Sequence, residues 1–87
     1  MSCDLMDYAL TDHARKRCIR RGIRADWIRQ ALEQHQHVES DAVDETLVHV
    51  LYPVPERGFR ILRVIYNETL EPVTVVTAYF DDGEIRL

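Results

Sequence analysis

The sequence contains few residues of the kinds that several protein classes require. Its 87 residues include two cysteines, three glycines and three prolines, and no long run of apolar residues. Two cysteines do not make the disulfide framework of a small secreted domain, so we expect Cys3 and Cys18 to be free thiols. The missing apolar run argues against a membrane span, and the first residues lack the basic-then-apolar order of a signal peptide. The sequence therefore predicts a cytoplasmic protein.

Several motifs that identify enzymes and cofactor sites are also missing. The sequence contains no G-x-S-x-G motif, no glycine-rich phosphate loop and no calcium-binding repeat. His35, His37 and His49 could face one metal ion if residues 35–37 were extended, but no fourth ligand of suitable spacing is present. We therefore expect neither a metal ion nor an organic cofactor.

The length of the chain limits it to a single core. Folding buries about 60 to 65% of the unfolded surface of so short a chain, which suffices for one two-layer core. A second domain or a deep cavity would need more residues. We therefore expect residues 1–87 to form a single domain.

Charge is distributed unevenly along the chain. The formal net charge is −4, yet residues 12–29 contain seven basic and two acidic residues, which gives +5 there and leaves −9 on the rest. A basic segment can bind a phosphate locally, whereas the acidic remainder repels nucleic acid at long range. The bulk charge thus argues against non-specific binding of nucleic acid.

The fold class follows from a change in hydrophobic period, from about 3.6 to about 2, near residue 37. Thr11 as N-cap and Gly22 as a left-handed C-terminal residue predict a first helix over residues 12–21, and a second helix follows over 25–34. Strands are expected over residues 38–41, 46–52, 59–67 and 72–80. The sequence predicts an α+β fold, with two N-terminal helices packed on one face of a three- to four-stranded antiparallel sheet.

A first candidate site lies on the first helix. His13, Arg17 and Arg21 follow one another at intervals of four residues, so the helix presents them along one face. Arginines at this spacing repel each other unless an anion lies between them. Carboxylates of the acidic strands could provide that anion, or the stripe could form a phosphate clamp in which His13 transfers protons. The pattern leaves both interpretations open.

A second candidate site lies on the predicted central strands. Arg63 is the lone charged residue in the apolar segment ILRVIY, and its burial is costly unless the charge is paired. Regular strand pairing would place Thr77 and Tyr79 on the same face of the sheet as Arg63. The apolar residues expected on that face are Ile61, Ile65, Val73 and Val75. The three polar residues could form a site, or they could be a snorkelling arginine, a strand threonine and a core tyrosine.

Residues 11–34 resemble the opening of a bacterial family known as a domain of unknown function. Members of that family carry H-A-x-x-R-x-x-x-R-G-I, which corresponds here to the segment from His13 to Ile23. ILRVIYNE and VVTAYF look like two later strands of the family, so the resemblance extends over about residues 8–80. The family is similar in layout to RelE-like toxins, whose wider group of small ribonucleases packs two helices against an antiparallel sheet and cleaves RNA without metal.

The resemblance implies a RelE-like toxin that is either a metal-independent endoribonuclease or an RNA-binding protein. In such a ribonuclease a base deprotonates the ribose 2′-hydroxyl, arginines neutralise the phosphorane, and an acid protonates the leaving 5′-oxygen. Arg21 and Thr77 would position the substrate. The implied catalytic residues are His13 as general acid or base, Arg17 and Arg63 as phosphate-neutralising groups, and Tyr79 as proton donor or base-stacking group.

Two further interpretations stay open. The chain could be a non-enzymatic partner-binding module of a regulatory or toxin-antitoxin pair, with a cognate antitoxin protein rather than RNA as its partner. His13 would then be a hydrogen-bonding group at the start of a helix. The two helices could also read DNA as a helix-turn-helix, but the second contains only Arg24 and Arg29 as basic residues.

Overall fold

The computed structural model describes residues 8–34 and 37–81. Its elements are β1 (Tyr8–Leu10), α1 (Asp12–Arg21), α2 (Ala25–Gln34), β2 (His37–Ser40), β3 (Leu47–Val54), a 3₁₀ turn (Pro55–Arg57), β4 (Arg60–Asn67) and β5 (Val73–Phe80). Both helices have the predicted bounds. The four predicted strands are present as β2 to β5, and their ends differ from the predicted ones by at most two residues.

The ends of α1 are fixed by the two residues that the sequence indicated. The Thr11 hydroxyl accepts a hydrogen bond from the Ala14 amide at 3.0 Å, as an N-cap does. Gly22 has a φ of 70°, in the left-handed region, and its N–H donates to carbonyl oxygens of the last helical turn. The Ile23 amide then donates to the Cys18 carbonyl at 2.9 Å, which turns the chain back so that Ile23 is buried.

The sheet has five strands in the order β1-β5-β4-β3-β2. The pairs β2/β3, β3/β4 and β4/β5 are antiparallel, whereas β1 lies parallel to residues 73–75 of β5. The predicted sheet of three to four antiparallel strands is therefore corrected to a mixed sheet of five. At three residues, β1 is too short to show the alternation of apolar and polar residues that identifies a strand.

Both helices pack on one face of the sheet. α1 lies mainly against β5, and α2 lies against β3 and β4. Burial of each large apolar side chain in this layer contributes about 1.5 to 3 kcal/mol relative to exposure. The largest fully buried side chains are Ile28, Leu62, Val50, Val54, Val64 and Val75. In the described part of the chain, no helix is long and apolar enough to cross a membrane.

A β-bulge interrupts the regular pairing of β4 with β5. Ile65 pairs with Thr77, and the next residue, Tyr66, pairs with Val75, so Val76 is the extra residue of β5. The bulge reverses the alternation of side chains along β5. Residues before and after it that would otherwise share a face therefore point to opposite faces.

The bulge decides which residues lie on the face opposite the helices, here called the second face. Arg63 pairs directly with Tyr79, and Thr77 lies two residues from Tyr79, so all three share the second face as predicted. Val75 instead packs in the core under the helices. The expectation that Val73 and Val75 lie on the face of Arg63 is wrong, because it assumed an unbroken alternation.

Candidate functional site

A pocket rich in arginine lies where the end of β5 meets the start of β4. It has a volume of about 380 Å³ and is lined by Arg21, Arg57, Arg60, Tyr79 and Phe80. Arg21 ends α1, Arg57 ends the 3₁₀ turn, and Arg60 begins β4. Four elements therefore bring three positive charges and two aromatic rings around one space, which we call the arginine pocket.

Aromatic rings position two of these arginines. The guanidinium carbons of Arg57 and Arg60 lie 5.4 Å and 4.6 Å from the centroid of the Phe80 ring. Arg57 also lies 5.9 Å from the Trp27 ring, which packs edge-on against Phe80. A cation-π contact at an exposed site contributes about 0.5 to 1 kcal/mol. Such a contact orients a cation without cancelling its charge.

Arg21 reaches the arginine pocket from α1. Its Nη1 donates to the Ala78 carbonyl oxygen at 2.7 Å, and its guanidinium carbon lies 5.9 Å from the centroid of the Tyr79 ring. β1 pairs only with residues 73–75 of β5, so the Ala78 carbonyl lies on an edge that β1 leaves unpaired. Arg21 satisfies this edge carbonyl and joins α1 to the strand that carries Tyr79.

The predicted stripe on α1 runs beside the same edge of β5. The Thr11 amide donates to the Val75 carbonyl at 3.1 Å, so the start of α1 is attached to β5, as its end is through Arg21. Arg17 and His13 precede Arg21 by four and eight residues, so helical periodicity places them on the same side. His13 is exposed and Arg17 is half-buried. Among the three residues of this stripe, Arg21 lines the arginine pocket.

Arg63 is the buried member of a polar network on the second face, whose other members are partly exposed. Its side chain is 7% exposed, and its Nε donates to Asp81 Oδ2 at 2.8 Å. Its Nη1 lies 3.4 Å from Glu39 Oε1 and donates to His49 Nδ1 at 2.8 Å. Burial acts to lower the pKa of Arg63, but the hydrogen bonds to Asp81 and Glu39 outweigh burial and raise the pKa above its ordinary value. The carboxylates of Asp81 and Glu39 therefore neutralise the charge of Arg63. The predicted role of Arg63 in neutralising a phosphate stays a prediction.

His49 connects this network to the loop after β2. Because a guanidinium cannot accept a hydrogen bond, the Nδ1 of His49 that faces Arg63 is the unprotonated acceptor. Nε2 then carries the proton and donates to Asp41 Oδ1 at 2.7 Å. Asp41 also accepts from the amides of Asp44 and Val43 at 2.9 and 3.0 Å. These hydrogen bonds lower the pKa of Asp41 to about 2. The bond from the Asp44 amide has the largest effect, followed by those from His49 and the Val43 amide.

The low pKa of Asp41 predicts a contribution to stability that depends on pH. The folded-state pKa of about 2 lies below the ordinary 3.8, so ionised Asp41 stabilises the fold above about pH 4. That contribution is lost as the pH falls through about 2. We expect Asp41→Ala to lower the free energy of unfolding more at about pH 7 than at about pH 2, as measured by urea denaturation. Glu45→Ala, which removes an exposed carboxylate of the same loop, is the control, and equal losses for Asp41→Ala at both pH values would contradict the expectation.

The structure brings together some of the predicted site residues and separates others. Tyr79 and Arg21 line the arginine pocket, and Arg63 lies beside Tyr79 on the neighbouring strand. Thr77 is half-buried two residues before Tyr79 and does not line the pocket. Three lining residues were not predicted from the sequence, although R-G-F-R around the turn at Gly58 marks two arginines close together. They are Arg57, Arg60 and Phe80.

Several predictions concern residues outside the described ranges. Cys3 and His35 are among them, so the described residues do not test the predicted role of either. Cys18 is a free, buried thiol, and burial raises its pKa. Within residues 8–34 and 37–81, no group of three or more His, Cys, Asp or Glu side chains could hold a metal ion.

The fold and the arginine pocket define a small α+β domain with a basic, aromatic-lined site at one corner of its sheet. The chain belongs to the family described as Domain of unknown function (DUF4258), which matches residues 10–80. This agrees with the resemblance to a family of unknown function and includes every residue of the arginine pocket. No curated protein and no solved structure matches the chain.

Proposed function

We propose that the protein is a RelE-like ribonuclease that binds an RNA phosphate in the arginine pocket and cleaves the RNA without a metal ion. The observation that supports this proposal is the convergence of three arginines and two aromatic residues on one open space. The planar fork of arginine suits phosphate oxygens. Aromatic side chains beside a phosphate can stack on the bases of single-stranded RNA.

The charge of the chain limits how much RNA it can hold. The net charge is −4, and the positive charge of the pocket is local. An acidic surface repels a long phosphate backbone, while three clustered arginines attract the phosphates nearest to them. The proposed substrate is therefore a short, single-stranded segment of RNA in the cytoplasm, and a cognate antitoxin is the protein partner that this function implies.

In the proposed reaction the ribose 2′-oxygen attacks the adjacent phosphorus and the bond to the 5′-oxygen breaks. Arg57 and Arg60 neutralise the charge that develops on the phosphorane. Tyr79 donates its proton to the leaving 5′-oxygen, and Arg21, which lies over the Tyr79 ring, stabilises the resulting phenolate. The 2′-hydroxyl proton passes to solvent, because His13, its predicted acceptor, lies about 12 Å along α1 from Arg21 and does not line the pocket. The products are a 2′,3′-cyclic phosphate and a 5′-hydroxyl end.

Binding of RNA by the arginine pocket can be measured by fluorescence anisotropy with a labelled single-stranded RNA at several salt concentrations. The double variant Arg57→Ala/Arg60→Ala is expected to weaken binding by about tenfold and to reduce the salt slope by about 2, because two phosphate contacts are lost. Arg24→Ala is the matched control, since it removes an exposed arginine that lies 3.9 Å from Asp26 and does not line the pocket.

The control also distinguishes the alternative functions. Equal RNA affinity in the double variant and in Arg24→Ala would contradict the proposed site. DNA binding that disappears in Arg24→Ala but persists in the double variant would favour the helix-turn-helix interpretation. Cleavage of RNA should continue in EDTA, and its loss in EDTA would overturn the metal-independent mechanism.

A further inference from the structure

A second cavity lies beside α1 and the start of α2. It has a volume of about 190 Å³, and all but one of its lining residues are apolar. Ile19 is 74% exposed, whereas Cys18, Ile23 and Ile28 are buried. The cavity therefore has a buried apolar floor and an exposed apolar wall. We call it the α1-α2 groove, lined by Leu10, Arg15, Cys18, Ile19, Ile23, Ala25 and Ile28.

Basic residues of α1 surround the exposed wall of this groove. Arg15 and Lys16 lie four and three residues before Ile19, so they neighbour it on the helix surface, and Arg20 follows it directly. All three are exposed. They belong to the segment 12–29, which carries +5 in a chain of net charge −4. The groove is thus an apolar site framed by basic side chains on an acidic protein.

This combination indicates the chemistry of the occupant. An apolar side chain seated in the groove would cover Ile19, and carboxylates on either side of it would face the basic frame. The basic segment of a second copy of this chain would be repelled by this frame. RNA also fits poorly, because the described lining residues include no aromatic ring on which a base could stack. An acidic protein segment satisfies both features of the groove.

We propose that the α1-α2 groove is the docking site for an acidic amphipathic helix of a partner protein. The helix inserts one large apolar side chain beside Ile19 and places carboxylates opposite Arg15 and Lys16, the two basic neighbours of Ile19 on the helix surface. Helices that dock in grooves present apolar anchors at i, i+3, i+4 and i+7, which gives the expected pattern of the partner segment. No described residue lines both this groove and the arginine pocket, so the inference does not depend on the proposed RNA site.

The test uses the full chain and two labelled synthetic helical peptides with leucine at i, i+3, i+4 and i+7. One peptide has glutamate at the intervening positions and the other has lysine. Fluorescence anisotropy should show that the glutamate peptide binds at least about tenfold more tightly than the lysine peptide. Ile19→Asp should weaken binding of the glutamate peptide by about tenfold, because it sets a carboxylate against an acidic ligand. Arg57→Ala, in the arginine pocket, should leave this binding unchanged.

Circular dichroism checks that Ile19→Asp folds, and Ile19→Ala provides a second variant that adds no charge. Several results would overturn the proposal: no binding of the glutamate peptide, equal binding of the two peptides, or full binding by Ile19→Asp. Self-association of the wild type that Ile19→Asp abolishes would assign the groove to a second copy instead. If Ile19→Asp no longer bound RNA, the α1-α2 groove would be an RNA-binding site instead.

Discussion

Arg63→Ala is expected to lower the free energy of unfolding by about 2 kcal/mol or more, because it removes the buried positive member of a charge network whose carboxylates are partly exposed. The Arg63 side chain is 7% exposed and bonds to Asp81 and His49 at 2.8 Å each. Without it, Asp81 and Glu39 lose the charge that compensates theirs, and Nδ1 of His49 loses its donor. Urea denaturation followed by circular dichroism measures the change.

The matched control for this prediction is another arginine in an ion pair at the surface. Arg15 is 58% exposed and lies 3.4 Å from Asp12, so Arg15→Ala should change the stability by less than about 0.5 kcal/mol. Arg63→Lys keeps the charge but loses the fork that reaches Asp81 and His49 from separate nitrogens, and an intermediate loss is expected. If Arg63→Ala were as stable as Arg15→Ala, the structural role of the network would be contradicted. A stable Arg63→Ala that no longer cleaved RNA would support the predicted phosphate role.

The helices could be predicted from the sequence because their signals are local. The Thr11 cap, the left-handed Gly22 and the apolar face of α2 all lie within or beside the helices they define. β1 could not be predicted in the same way. It has three residues, and only its pairing with β5 makes it a strand.

The candidate site could be predicted only where it depends on a periodic pattern, either the helical spacing that includes Arg21 or the alternation of strand residues. Arg63, Thr77 and Tyr79 share a face because regular pairing holds on their side of the bulge. The partners of Arg63 are not local, since Glu39 lies 24 residues away on β2. The arginine pocket likewise depends on tertiary packing, which brings the end of α1 to the turn after β3. Residues far apart in the chain that meet at one corner leave no periodic pattern in the sequence.

Tyr79→Phe is expected to lower the rate of RNA cleavage by about 100-fold or more, because a positioned proton donor contributes about 10² to 10⁴ to such a reaction. RNA affinity should stay within about twofold, since phenylalanine retains a ring for stacking on a base and for the contact with Arg21. Single-turnover cleavage with saturating protein measures the chemical step separately from binding. New 5′-hydroxyl ends identify the products.

Tyr66→Phe is the matched control, because Tyr66 packs against the core under the helices and does not line the arginine pocket. It removes the same hydroxyl group from a site without proposed chemistry, so cleavage should be unchanged. His13 lies about 12 Å along α1 from Arg21, and His13→Ala is therefore expected to slow cleavage less than Tyr79→Phe does. If Tyr79→Phe cleaved RNA normally and His13→Ala did not cleave it, His13 rather than Tyr79 would be the residue that transfers the proton. RNA binding by a wild type that cleaves nothing would leave the arginine pocket as a binding site without catalysis.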